Sequence, residues 1–135
     1  MRNLIGTALA AAAVVALPAM AGARERLQPE AKLEKILAGR VAGEAVDCIY
    51  TPSIRDTRIV DKTAIVYEVG RVLYVNRPDS GASSLDDDDI LVTKLHGTQL
   101  CSIDIVQLRD RSTHFYSGFV GLGDFVPYRK VAARP

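Results

Sequence analysis

The chain has 135 residues, with 17 basic and 16 acidic side chains and two cysteines. This length suits one domain with a modest core and is short for two. Because the opposite charges nearly cancel, the chain as a whole offers no electrostatic attraction for nucleic acid or anionic lipid, and we expect neither as a partner.

The first 21 residues have the three parts of a secretory signal peptide. A charged Arg2 precedes an uncharged apolar run over residues 4–17, and Ala19-Met20-Ala21 matches a small-residue cleavage site. Cleavage is expected after Ala21 or, alternatively, after Ala23. An uncleaved anchor is less favoured, because the run is shorter than the ~20 residues of a spanning helix and ends at Pro18. We therefore expect a periplasmic protein with no transmembrane segment in its mature chain.

A short amphipathic helix is predicted between the signal peptide and the first strand, within a lead-in over residues 24–44. Pro29 suits a first helical position, and Gly39 suits a left-handed stop. The apolar residues of this stretch repeat at helical spacing, so that one stripe of the helix can lie against a sheet: Leu33, Ile36 and Leu37.

From residue 45 onward, apolar and polar side chains alternate with the period of a strand. Asp61-Lys62 separates two such runs by the spacing of a tight hairpin, and Gly70 marks the next turn. The predicted fold is mainly β (α+β), a small antiparallel sheet, barrel or sandwich of about 6–8 strands over residues 45–128, with a flexible tail over 129–135. The predicted strands cover residues 46–50, 54–60, 63–69, 72–76, 90–94 and 99–108, and a bent strand lies within 115–128.

The stretch Gln99 to Leu108 is predicted to be one continuous core strand. Read with a period of two, its more apolar face carries Cys101, Ile103 and Ile105, and we expect that face to point inward. Cys48 is the only other cysteine, and exported proteins favour disulfides. The two cysteines are therefore predicted to be bonded, with Cα atoms about 4.4–6.8 Å apart.

Four consecutive aspartates, Asp86 to Asp89, end a loop that begins at Arg77. Clustered carboxylates suit Ca²⁺, but adjacent residues of an extended chain point in opposite directions, and the spaced pattern of a calcium loop is absent. We expect a mobile, solvated loop whose aspartates pair with nearby arginines. At most, weak cation binding is expected from Asp86, Asp87, Asp88 and Asp89.

His114 has candidate catalytic neighbours in Ser112 or Ser117, as nucleophile, and Asp110, as orienting acid. Residues this close in sequence seldom form a triad, and the Gly-x-Ser-x-Gly nucleophile pattern is absent. A surface histidine is the favoured interpretation, so we predict no catalytic residue and no cofactor.

The other polar and aromatic candidates are interpreted as structural. Asp104 is expected on a polar face or paired with Arg58 or Arg109. Five aromatic residues suit a ligand-binding face but are more typical of the core of a small barrel: Tyr67, Tyr74, Phe119, Phe125 and Tyr128.

Six segments together resemble small exported proteins of unknown function from sphingomonad-type proteobacteria. They span most of the chain after the signal peptide and cover Ala38–Gly43, Asp47–Ile49, Tyr67–Gly70, Leu73–Pro78, Asp88–Val92 and Gly123–Tyr128. The resemblance implies a periplasmic location and a single domain, and it implies no catalytic residue.

The sequence therefore predicts an exported periplasmic β-rich domain that acts as a non-enzymatic binding or envelope-associated module. Its expected partner is an envelope protein or component whose identity the sequence does not specify. The alternative is a small hydrolase-like enzyme that uses His114 or the Asp86–Asp89 loop, with or without a divalent cation. The lack of a recognisable catalytic constellation favours binding.

Overall fold

A computed structural model describes residues 28–132, so the predicted signal peptide and its cleavage site lie outside the described residues. Within this range the fold is mainly β and antiparallel, as predicted, with one short α-helix and ten strands in three sheets. No helix of these residues is long and apolar enough to cross a membrane. The elements are α1 (Pro29–Ile36), β1 (Arg40–Ala42), β2 (Cys48–Tyr50), β3 (Ile54–Val60), β4 (Ala64–Val69), β5 (Val72–Asn76), β6 (Asp89–Thr93), β7 (Gln99–Cys101), β8 (Ile105–Asp110), β9 (Tyr116–Gly121) and β10 (Phe125–Lys130).

The largest sheet has five strands in the order β1-β10-β5-β4-β3, and the predicted meander forms one side of it. β3 and β4 make the predicted hairpin, with Lys62 in the turn at a φ of 55°. The predicted lead-in and flexible tail were wrong at the other edge of the sheet, where Arg40 and Val41 of β1 pair with Lys130 and Arg129 of β10. These largely exposed residues are ordered by backbone hydrogen bonds. The pattern of apolar and polar side chains does not predict such a strand pair, because few of its side chains are buried.

The stretch Gln99 to Leu108 is not one continuous strand. β7 ends at Cys101, and a turn separates it from β8. The turn is closed by Asp104, whose carboxylate accepts a hydrogen bond from the Cys101 N–H at 2.7 Å. Asp104 therefore stabilises a turn instead of pairing with Arg58 or Arg109, because an Asp side chain satisfies nearby backbone donors at little entropic cost.

The predicted inward face of this stretch was also wrong. Ile103 lies in the turn and is 89% exposed, and Ile105 is 59% exposed. The alternation of period two does not itself specify which set of side chains faces the core, so the inward face is decided by tertiary packing. The buried side chains are those of the opposite set, Leu100, Val106 and Leu108.

The predicted bent strand within residues 115–128 is two strands that belong to different sheets. β9 lies in the three-stranded sheet β6-β8-β9, whereas β10 lies in the five-stranded sheet. The fully buried Asn76 holds the connection: its Nδ2 donates to the Gly123 carbonyl oxygen at 2.6 Å, and its Oδ1 accepts from the Gly123 N–H at 3.0 Å. A Cβ atom at residue 123 would collide with the Arg77 carbonyl oxygen, so the chain crosses here on a glycine.

β4 contributes to both hydrophobic cores, since it carries apolar residues on both faces. Ile65 and Tyr67 pack into the larger core, which receives side chains from all three sheets. Ala64 and Val66 pack into a smaller core together with Leu33, the buried residue of α1. The predicted amphipathic helix is therefore confirmed, and it covers the outer face of the five-stranded sheet.

The predicted disulfide joins Cys48 of β2 to Cys101 of β7, with Cα atoms 4.0 Å apart and the two residues directly opposite in the strand pair. Both strands have three residues. β2 continues through a short 3₁₀ helix, Thr51–Ser53, into β3, and β7 continues through the Asp104 turn into β8. The bond therefore ties the five-stranded sheet to the three-stranded sheet.

Cys101→Ser should lower the free energy of unfolding by about 4 kcal/mol, because the disulfide closes a loop between residues separated by 53 positions. Urea unfolding of the variant, and of the wild type after reduction, measures the loss. Ser102→Ala, in the adjacent turn, is the control. Equal unfolding midpoints for oxidised and reduced protein would contradict this role of the bond.

Candidate functional site

An open cleft lies between β3 and β6, which are the edge strands of the five-stranded and three-stranded sheets. Its volume is about 700 Å³, in the range of small-molecule sites. Side chains from both sheets, from α1 and from the chain around β7 line it. Most of the wall is apolar and is formed by Ile54, Ile59, Tyr67, Leu91, Leu95 and Leu100.

Strand alternation decides which side chains of β6 face the interior. Leu91 and Thr93 lie opposite Leu108 and Val106 of β8, and both of these partners are fully buried. Residues paired across two strands share a face of the sheet, and alternate residues of one strand share it too. Asp89 therefore points to the same interior face as Leu91 and Thr93.

Asp89 is a buried acid in this apolar wall, with only 6% of its surface exposed. Its Oδ1 accepts a hydrogen bond from the Ser117 hydroxyl at 2.9 Å, whereas its Oδ2 has no hydrogen-bond partner and no contact with solvent. The solvated-loop prediction was wrong for this residue, because β6 begins at Asp89 and strand pairing carries its side chain inward. Its position immediately before the apolar run Ile90–Val92 is the sequence signal that distinguishes it from the three preceding aspartates.

Cationic side chains also line the cleft, but each is paired with an exposed carboxylate. Such pairs contribute little to stability, since water screens them. One of the predicted aspartate–arginine pairs is present, and another aspartate of the loop pairs with a lysine of α1. The pairs are Lys32 with Asp87 at 3.1 Å, Arg58 with Asp56 at 3.0 Å and Arg111 with Asp88 at 3.6 Å.

The loop aspartates form a cluster in which carboxylate oxygens of Asp61, Asp86 and Asp87 lie within 4.8 Å of one another. Each of these carboxylates already has a partner within the fold. Asp61 Oδ1 accepts from the Asp87 N–H at 2.6 Å, and Asp86 Oδ1 accepts from the Asp88 N–H at 2.9 Å. Asp87 is paired with Lys32. The carboxylates therefore shape the loop, and a cation would have to compete with these partners.

The candidate triad around His114 is not assembled. Asp110 Oδ1 accepts from the Thr113 N–H at 2.7 Å, the Thr113 hydroxyl at 3.0 Å and the Ser112 N–H at 2.9 Å. These hydrogen bonds, those of Thr113 above all, lower the pKa of the Asp110 carboxyl. The Ser117 hydroxyl donates to the buried aspartate of the cleft instead of to His114. His114 is exposed in a turn at a φ of 60°, as the surface interpretation predicts.

The aromatic residues are mostly core residues, as predicted. Tyr67 and Phe125 are buried with ring centroids 5.9 Å apart, and burial raises the pKa of the Tyr67 hydroxyl. Tyr74 and Tyr128 are partly buried against the larger and smaller cores, respectively. Phe119 departs from the prediction, since it is 51% exposed on β9. Of these five residues, Tyr67 is the one that lines the cleft.

No protein-family model matches the chain, and neither curated proteins nor solved structures give a significant match. The binding properties of the cleft are therefore inferred from the residues that line it. An apolar wall binds through the removal of hydrocarbon surface from water, and a single buried acid adds one directed polar contact. This combination suits binding of a small or narrow ligand.

We expect Ca²⁺ at about 1 mM, the range of weak extracellular sites, to leave the melting temperature unchanged, because the Asp61–Asp86–Asp87 cluster is engaged by its own loop. A tight site would stabilise the fold by about 2.7 kcal/mol at a hundred times Kd, which a thermal melt detects. Mg²⁺ serves as the control ion. A Ca²⁺-specific shift that is lost in Asp86→Asn would overturn this expectation.

Asp89→Asn should raise the free energy of unfolding by about 1 kcal/mol, because a neutral amide costs less to bury than an acid with an unpartnered oxygen, and the amide oxygen still accepts the Ser117 hydrogen bond. Urea unfolding at neutral pH measures the change. Asp88→Asn, at the neighbouring exposed position, should leave stability unchanged. If Asp89→Asn destabilises the protein instead, the Asp89 side chain makes a stabilising interaction in addition to its hydrogen bond with Ser117.

Proposed function

We propose that the protein is an exported, periplasmic, non-enzymatic binding module that holds an envelope-derived ligand in the cleft between β3 and β6. The observation that carries this proposal is the cleft itself, an apolar concavity of about 700 Å³ that opens between two edge strands. A ligand placed against its wall gains roughly 25 cal/mol for each Å² of apolar surface removed from water. The apolar wall of the cleft therefore provides the binding free energy, and the polar groups orient the ligand.

The disulfide and the predicted signal peptide support export. Disulfides persist in oxidising compartments and are rare in the reducing cytosol. The Cys48–Cys101 bond joins two strands of three residues, whose central pair, Ile49 and Leu100, is buried in the larger core. The N-terminal signal features and the resemblance to small exported proteins agree with the same location.

The enzymatic alternative has less support. The groups proposed for it, Asp110 and Ser117, make their side-chain hydrogen bonds elsewhere, within a turn and with Asp89. The loop carboxylates Asp86 and Asp87 are likewise engaged. Catalysis needs a nucleophile and a base within hydrogen-bond reach of each other, and the geometry around His114 favours a turn.

A neutral apolar fluorescent probe, N-phenyl-1-naphthylamine, tests whether the cleft binds ligands. Its fluorescence should rise on binding to the wild type. Thr57→Trp, which adds a large side chain at a cleft position of edge strand β3, should weaken binding at least tenfold, about 1.4 kcal/mol. Val41→Trp, at an exposed position of the opposite edge strand β1, should not.

The probe experiment has two outcomes that count against the proposal. One is no fluorescence increase with any variant, and the other is equal binding by Thr57→Trp and Val41→Trp. Turnover of an ester or phosphoester substrate that His114→Ala abolishes would favour the enzymatic alternative instead.

Export is tested by intact mass. Protein recovered from the periplasm should begin at Gly22 or Arg24, according to which of the two predicted sites is cleaved. Recovery of a chain that retains residues 1–21 in the membrane fraction would contradict export as a free domain and support the anchor alternative.

A further inference from the structure

We infer that the cleft selects ligands that join an apolar body to a protonated amine, and that Asp89 is the residue that binds the amine. This inference rests on the proposed binding function and specifies the class of ligand. The starting observation is Asp89 Oδ2, a carboxylate oxygen inside an apolar wall that has neither a hydrogen-bond partner nor solvent contact.

The position of Asp89 directs it to the cleft. It shares the interior face of β6 with Leu91 and Thr93, and all three residues line the cavity. Ser117 binds one carboxylate oxygen and so holds the side chain in place while the second oxygen stays unpaired.

No basic side chain in the described part of the chain neutralises this acid. Among residues 28–132, no Lys, Arg or His forms an ion pair with Asp89, although three cations line the same cleft. Lys32 and Arg111 are instead bound to the exposed carboxylates Asp87 and Asp88. Since residues 28–132 supply no cation to Asp89, we assign that role to a bound ligand.

The chemistry of the site favours an ammonium group over a neutral donor. A buried carboxylate is costly unless a charge or several hydrogen bonds compensate it. A hydrogen bond from a charged donor is roughly twice as strong as a neutral one, and the burial of Asp89 limits competition from water. A carboxylate ligand would meet repulsion at the same place.

Three probes of equal chain length isolate the contribution of the head group: octylamine, octanol and octanoate, each titrated calorimetrically at neutral pH. The wild type should bind octylamine at least tenfold more tightly than octanol, and octanoate most weakly. Asp89→Asn should lose the preference for the amine. It should still bind octanol, and that binding shows that the cleft of the variant remains folded. Asp88→Asn, which removes a charge next to it in sequence but on the surface, should keep the preference.

The outcomes separate this inference from the proposed function. If none of the three probes binds, the binding function itself fails. If all three bind equally to the wild type, the cleft binds apolar ligands, a proton or an internal water satisfies Asp89, and the amine inference is overturned. Retention of the amine preference by Asp89→Asn would assign it to the exposed loop aspartates and would also overturn the inference.

Discussion

The covalent pairing of β2 with β7 is the constraint on which the rest of this structure depends. The two strands have three residues each, too few to hold a sheet boundary by backbone hydrogen bonds alone. Because β2 leads into β3 and β7 leads into β8, the Cys48–Cys101 bond fixes the two larger sheets relative to each other at one end. The buried Asn76, bound to both backbone groups of Gly123, fixes them where the chain crosses from β9 to β10.

The cleft is a consequence of this arrangement. The sheets are joined through β2–β7 and through the β9–β10 connection, but within residues 28–132 β3 and β6 are edge strands without a backbone partner on their free sides. Exposed edges invite aggregation, and β3 carries the usual protection, an irregular register near Asp56 and charged side chains such as Arg58. That protection disfavours an added strand and favours a ligand held by side chains. Under the proposed binding function, Asp89 is a stability cost retained at a binding position, as is common at functional sites.

Sequence periodicity predicted the structure well where contacts are local. The hairpin at Lys62, the meander around β4 and the amphipathic helix each depend on residues a few positions apart, and each is present. Periodicity failed between Gln99 and Leu108 because the side chain of Asp104 closes a turn within an otherwise strand-like pattern. Leu100 is buried and Ile103 is exposed, although both side chains are apolar. Hydrophobicity alone therefore did not identify the inward residue.

The sequence by itself determined the mainly β class, the short helix and the one disulfide that two cysteines allow, because composition, local spacing and chemistry limit these features. Only the tertiary structure decided the division into three sheets, the assignment of β9 and β10 to different sheets, and the different roles of four consecutive aspartates. Asp86, Asp87 and Asp88 remain on the surface, whereas the pairing of β6 with β8 carries Asp89 inside. Strand pairing joins residues far apart in the chain, so the apolar run after Asp89 indicated a nearby strand, but only the sheet decided that the side chain of Asp89 is buried in a cleft wall.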